Sequence, residues 1–310
     1  MHDIFDIIEL NNRRKELGRM LGEMIFGAIE IREKGDKKYV YLHSRVNGRQ
    51  VSSYIGEYTE ELYNLIASNN KKARAIKKEI REIVHRLNEL GYSEQDIPEN
   101  VLRNIDFAKR NLALTIHSQA ILEGVATTFA ETEEIIENGR ASGMDTTDIA
   151  KIVNMKRAWE FILDKDVILS GQNLGLLMQI NKLIEEGFYY NAGKIRDVPV
   201  NIGGTTWRPE MPIPSKITES LENILESKRA NIDKAIELVL YVMKSQIFLD
   251  GNKRTAIIFA NHFLISKGLG LIYVPAEKTD TFKKMLVDFY VSSKKQEIVE
   301  FMKKYCYIAI

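Results

Sequence analysis

The chain has 310 residues, 45% of them hydrophobic, with 44 lysines and arginines against 43 aspartates and glutamates. That length accommodates two compact units with a sizeable core. The near-neutral balance argues against bulk nucleic-acid binding, and leaves open only a local basic patch. A single cysteine, Cys306, excludes an intrachain disulfide. The N-terminal stretch MHDIFDIIELNNRRK places acids where a secretory signal needs cations, and no window of about 18 uncharged apolar residues occurs. These features lead to the expectation of a soluble, cytoplasmic protein without a membrane span. Low proline and abundant Ile, Lys and Glu suit a mostly helical chain.

Residues 1–25 read as a helix, with Ile4, Ile7, Ile8, Leu17, Leu21 and Ile25 at its apolar positions. Between 26 and 58 the pattern changes. Gly35-Asp36 and Asn47-Gly48 are turn signals, the second a dipeptide favoured in two-residue hairpins. Tyr39, Tyr41, Val51 and Tyr54 are strand-formers, and a three-stranded antiparallel meander is predicted. Helix returns over 59–91, where KKARAIKKEIREIVHRL sets Ile76, Ile80, Ile83, Val84 and Leu87 on one stripe below a basic face. That face can be a solvated helix surface, or a contact for nucleic acid or an acidic partner. Tyr92-Ser93 and Pro98 suggest a linker, dividing a region 1–95 from a second unit, 96–310.

The second unit reads as helix after helix: 99–123, 128–138, 145–163, 172–186, 216–227, 229–246, 252–267 and 278–304. Residues 191–214, NAGKIRDVPVNIGGTTWRPEMPIP, interrupt this with four of the six prolines. Val198, Val200 and Ile202 alternate before Gly203-Gly204, which predicts a β-hairpin or exposed flap.

Chemistry concentrates in QIFLDGNKR, residues 246–254, between the helices predicted at 229–246 and 252–267. A glycine at a helix entrance lets the backbone approach a ligand, and the free N–H groups there favour an anion. Lys253 and Arg254 add two cations. Asp250 can hold a magnesium ion that bridges phosphate oxygens. D-G-N is also a common helix-entry turn with a purely structural role.

The wider pattern resembles the Fic family, part of the Fic/Doc superfamily. QIFLDGNKR follows that family's loop, H-x-F-x-D/E-G-N-G/K-R, at every defined position but the first. N-A-G-K-I-R at 191–196 looks like the lead into the family's flap. I-H-S-Q-A-I-L-E-G, 116–124, is similar to its inhibitory helix, here near 108–125. The resemblance covers roughly 95–310. It implies a mainly α fold: a Fic-type helical domain with a β-hairpin flap, preceded by a small α/β region with the three-stranded meander. It also implies AMP transfer from ATP, with Mg²⁺, to a hydroxyl of a target protein. By the same resemblance Asp250 is the metal ligand. Gly251, Asn252, Lys253 and Arg254 bind nucleotide, Glu123 is regulatory, and Gly203, Gly204, Thr205, Thr206 and Trp207 lie in the target-docking flap. A homodimer is a further implication.

Three departures qualify that expectation. Gln246 stands at the position of the motif's base, and glutamine cannot accept a proton near neutral pH. General-base help is typically worth about 10²–10⁴ in rate, so transfer is expected to be weak or altered. His262, His117, His43 and His85 are read as structural or surface residues. The family's second motif arginine is replaced by Ile257, and the S/T of its inhibitory helix by Gln119. Lys253 in place of glycine resembles the phosphotransferase Doc. Two other readings therefore stand beside the adenylyltransferase: a Doc-like phosphotransferase, and a nucleotide-binding regulatory protein without catalysis. An interaction module built on residues 1–95 is a third.

Overall fold

The computed structural model describes residues 2–46, 49–90, 92, 97–139 and 143–310. The Asn47-Gly48 turn, and Ser93 of the expected linker, fall outside the described residues. The chain separates into two compact units, Met1–Gln95 and Asp96–Ile310.

In the first unit, α1 (His2–Glu23) is followed by the strands β1 (Ala28–Lys34), β2 (Lys37–Val46) and β3 (Arg49–Glu57), then α2 (Glu60–Glu89). The strands form an antiparallel sheet in the order β1-β2-β3. Gly35, with φ of 63°, makes the first turn. The period-two alternation of β2 explains its packing. Val40 and Leu42 are buried with Ile66 of α2, while Tyr41 faces Tyr54 of β3 on the other side, with ring centroids 5.5 Å apart. Thr59 starts α2 by accepting the Leu62 N–H at 3.0 Å. The stripe of α2 packs Ile76, Ile83 and Leu87 against Leu17 of α1.

The second unit holds ten helices among the described residues: α3 (Glu99–Arg110), α4 (Leu112–Leu122), α5 (Phe129–Asn138), α6 (Thr146–Ile162), α7 (Leu174–Ile184), α8 (Pro214–Glu226), α9 (Asn231–Ser245), α10 (Asn252–Ser266), α11 (Thr279–Ser292) and α12 (Gln296–Tyr305). A two-stranded pair, β4 (Leu271–Ile272) with β5 (Tyr307–Ile308), closes it. Two segments expected as single helices are broken. The 99–123 run divides at Asn111, whose side chain donates to the Phe107 carbonyl at 2.8 Å and so competes with the helix ladder. The 278–304 run divides at Ser293, which closes α11 in the left-handed region with φ of 61°.

The flap segment also differs in detail from its expectation. Residues 197–213 contain no strand. Pro199 interrupts the Val198/Val200/Ile202 alternation, and Pro209 and Pro212 remove further donors, so a ladder cannot form here.

Helix α10 lies at the centre. All but two of its fifteen residues are buried, so its polar side chains must find partners inside. Asn261 does so by pairing both ways with Ile272 of β4: its amide donates to the carbonyl at 2.7 Å and its oxygen accepts the N–H at 2.9 Å. Replacing Asn261 by alanine leaves both backbone groups buried and unpaired. That should cost about 3 kcal/mol, read as a lower urea midpoint, and a change below about 0.5 kcal/mol would show that β4 is not held this way.

Candidate functional site

The loop 246–254 is shaped by two left-handed residues. Gln246 ends α9 at φ 45°, ψ 58°, and Gly251 precedes α10 at φ 74°. A non-glycine residue in this region is uncommon and needs local compensation. Gln246 has it: its amide donates to the Met243 carbonyl at 2.6 Å, and its carbonyl oxygen accepts from Asn252 Nδ2 at 3.2 Å. Asn252 also spans the loop, accepting the Phe248 N–H at 3.0 Å and donating to the Phe248 carbonyl at 2.8 Å. Phe248 itself is buried in the core. Gly251 admits no side chain. A Cβ there would stand 2.3 Å from Glu185 Oε1 and 3.1 Å from Asn181 Nδ2. Asn181 holds the same turn, donating to the Asp250 carbonyl at 3.0 Å.

At the start of α10 no side chain caps the helix. Its first-turn N–H groups thus lack a side-chain cap and stand beside two cations. Arg254 is 4% exposed, and its Nε and Nη1 have no hydrogen-bond partner. Three carboxylates surround it. Glu185 Oε1 lies 2.9 Å from Nη2, Asp250 Oδ1 3.7 Å from Nη2, and Glu123 Oε2 3.8 Å from Nε. Lys253 Nζ stands 3.4 Å from Glu123 Oε2. Glu123, which ends α4, and Glu185, which ends α7, each keep one buried oxygen without a hydrogen bond. Burial raises the Glu185 carboxyl to about 7, against the opposing pull of Arg254 and with the repulsion of Asp250 and Glu123. Asp250 is half exposed, and its Oδ1 accepts the Gly251 N–H at 2.7 Å.

The flap is tied to this loop by Arg196. Its side chain is buried and donates to the carbonyls of Gln246 at 2.6 Å, Val198 at 2.8 Å and Glu210 at 2.5 Å. No carboxylate pairs with it among the described residues, and burial lowers its pKa. Trp207 of the flap stacks on Tyr290 of α11 at 5.5 Å and 21°. The Tyr290 phenol contacts the Gln246 side chain near Glu123, and burial raises its pKa strongly.

The residues singled out in the sequence thus divide. Gln246, Asp250, Gly251, Asn252, Lys253, Arg254 and Glu123 converge on one turn. Trp207 reaches it through Tyr290. Gly203, Gly204 and Thr206 are exposed on the flap and Thr205 accepts the Trp207 N–H at 3.0 Å. No described histidine replaces the missing base. His262 is fully buried between Gln172 and the Val167 carbonyl, with its pKa lowered to about 4. His117 meets the Thr127 carbonyl, His43 pairs with Glu30 and His85 with Glu89. Glu185, Arg196, Tyr290 and Asn181 were not singled out as site residues. Only Arg196 stood within a quoted motif, at the end of N-A-G-K-I-R.

A helical unit with an anion-ready turn between two buried helices is the class that this geometry defines. Residues 172–264 match the model of the Fic/DOC family, and residues 7–64 match a domain of unknown function, DUF6788. The Fic/DOC match lies wholly within the Asp96–Ile310 unit. Among solved structures, Fic-1 from C. elegans is 19% identical with a TM-score of 0.54, covering 80% of this chain and 74% of that one. A Fic domain containing signaling protein from Bacteroides thetaiotaomicron is 16% identical with a TM-score of 0.53, covering 64% and 78%. A Fic family protein from Desulfovibrio desulfuricans is 15% identical with a TM-score of 0.51, covering 68% and 73%. At these identities the likeness is one of fold. No curated protein matches the chain. No described helix is long and apolar enough to cross a membrane.

The raised Glu185 pKa carries a sign. The folded protein holds this proton more tightly than the unfolded chain, so Glu185 stabilises fully below about pH 4.5, the ordinary carboxyl value, and this contribution is lost as pH rises towards 7. Glu185→Gln, which stays neutral, should therefore gain stability relative to the native chain across that window, by on the order of 3 kcal/mol at most. Urea titrations of both proteins at pH 4.5 and pH 8 check this. A stability difference independent of pH would show that Glu185 is charged throughout.

Proposed function

We propose that the Asp96–Ile310 unit is a Fic-type transferase that moves AMP from ATP to a hydroxyl on a protein, slowly in this chain because Gln246 occupies the position of the base. The supporting observation is the buried Arg254 guanidinium, with Nε and Nη1 unpartnered beside the uncapped start of α10. Buried donors left open in a folded protein suit an anionic ligand, and phosphate is the anion that this combination of helix start, lysine and arginine fits. Gly251, Asn252, Lys253 and Arg254 would hold the phosphates.

Asp250 fits a magnesium ion of modest protein ligation. It is an exposed single carboxylate, and no cluster of three acid, histidine or cysteine ligands occurs among the described residues. Magnesium commonly uses one or two carboxylates and completes its shell with water and phosphate oxygens. Bound there, it would neutralise charge on the phosphates.

In the transfer, the target's hydroxyl oxygen bonds to the α-phosphorus and the bond to the β-phosphate oxygen breaks, releasing pyrophosphate. The hydroxyl proton must pass to water or a phosphate oxygen, since the Gln246 amide can align the hydroxyl but cannot take its proton. Glu123 competes for the same cations as the terminal phosphates. Its removal by Glu123→Ala should tighten ATP binding in calorimetry.

One observation favours a second reading. The Gln246 side chain is held in the turn by Met243 and Asn252, which suits a regulatory protein that binds nucleotide without transferring it. Incubation with magnesium, a cell lysate and ATP labelled at either the α- or the γ-phosphate separates the possibilities. Faint α-label is expected with the native chain, rising about 10²–10⁴-fold in Gln246→His. Label from the γ-position instead would mark a Doc-like phosphotransferase. Label in the variant alone leaves the nucleotide-binding regulator, and failure to bind millimolar ATP in calorimetry would sink both readings.

A further inference from the structure

Beside the flap, and separate from the phosphate turn, lies a cleft of about 640 Å³. Its inner wall is Trp207 and Phe289, and the exposed side chains of Met211 and Ile213 form its rim. Four cations line it, Arg208, Lys216, Lys244 and Lys295, against two acids, Glu210 and Glu237. Lys244 of α9 is half-buried, with Nζ 4.7 Å from the Phe289 ring and 5.6 Å from that of Trp207. It donates to Ser293 Oγ at 2.6 Å and the Phe289 carbonyl at 3.3 Å, yet has no carboxylate partner among the described residues. Burial lowers its pKa. Lys216 of α8 is exposed on the lining and makes no ion pair among the described residues. The third lysine of the lining, Lys295, is neutralised by Glu237 at 2.6 Å.

A cleft with an aromatic floor, an exposed apolar rim and two uncompensated ammonium groups has the chemistry of a site for an anion carried on an apolar body. We propose that it docks a segment of the target protein in which an acidic residue adjoins an apolar one, and that this segment sets which hydroxyl is modified. This rests on the transferase reading above. The position of the cleft supports a role in target choice. Lys244 is two residues from Gln246, a span of at most about 7 Å. Trp207, in the cleft wall, stacks on the Tyr290 that contacts the Gln246 side chain. An extended chain advances about 3.3 Å per residue, so an acid held by Lys244 lies within about four residues of a hydroxyl over Gln246. A half-buried lysine without a counter-charge gains more from an incoming carboxylate than a solvated one does.

Fluorescence anisotropy tests the cleft directly, with fluorescein-labelled peptide pools that place either Asp-Leu or Lys-Leu at a fixed position. The acidic pool should bind at least tenfold more tightly, and the preference should disappear in the full-length double variant Lys216→Glu/Lys244→Glu. ATP affinity, measured by calorimetry on the same variant, should not change. Equal binding of the two pools, or an acidic preference that survives the double variant, overturns the proposal. Displacement of the peptide by inorganic phosphate at a similar concentration would do so too, by marking a site for a free anion. A dimer in sedimentation that the double variant dissolves would make the cleft a contact between copies of the chain. Acidic-peptide binding by a chain that does not bind ATP would leave the cleft intact and overturn the transferase reading beneath it.

Discussion

Everything at this site depends on the guanidinium of Arg254 being buried while only partly satisfied. A charge removed from water is costly unless close partners compensate it. Here compensation comes from acids on three separate elements: Glu123 at the end of α4, Glu185 at the end of α7 and Asp250 in the loop. Together with Lys253 this gives three acids for two bases, an arrangement that repels a further negative group while all three acids are ionised. Burial relieves the imbalance by making Glu185 hold a proton into the neutral range. The same burial leaves Nε and Nη1 available. Two buried donors held in place without a partner suit an incoming anion.

The Gln246 position shows what geometry alone can supply. A left-handed residue at the end of α9 turns the chain so that its side chain lies against Asn252, and the amide fits that place by donating to one carbonyl and accepting from one amide. Gln246 is thus positioned firmly, by a side chain that cannot accept a proton near neutral pH. The loop does not collapse, because its shape is enforced elsewhere. Asn252 bridges Phe248, Asn181 holds Asp250, and Gly251 lets α7 approach to a distance that any Cβ would block.

Much of this could be read from the residues, for identifiable reasons. The turn was legible because D-G-N-K-R packs its chemistry into five consecutive positions, and α9 and α10 because their apolar residues recur every three or four places. The meander was legible from the strand-formers and turn signals around it. Glu185 was not, since it lies 69 residues before Arg254 in an ordinary helix end, and an acid in such a place usually faces water. Tyr290 was equally silent. The helix breaks at Asn111 and Ser293 were missed because neither is glycine or proline; one is set by a side chain competing for a carbonyl, the other by a left-handed cap. At the flap two alternatives stood open, a β-hairpin or an exposed flap. The second describes residues 197–213, because Pro199 sits within the Val198, Val200 and Ile202 alternation and no donor is available at its position.

Arg196 explains how a flap without a ladder is still placed. A β-hairpin would hold itself by its own hydrogen bonds. This segment instead delegates the task to one buried cation whose donors reach Val198 near its beginning, Glu210 near its end and the carbonyl of Gln246. Its acceptors, these three carbonyls and the Met211 sulfur, are all neutral, so the guanidinium is best satisfied when the flap ends and the loop are in place together. Flap and loop are therefore held together through one buried side chain whose donors reach the backbone of both.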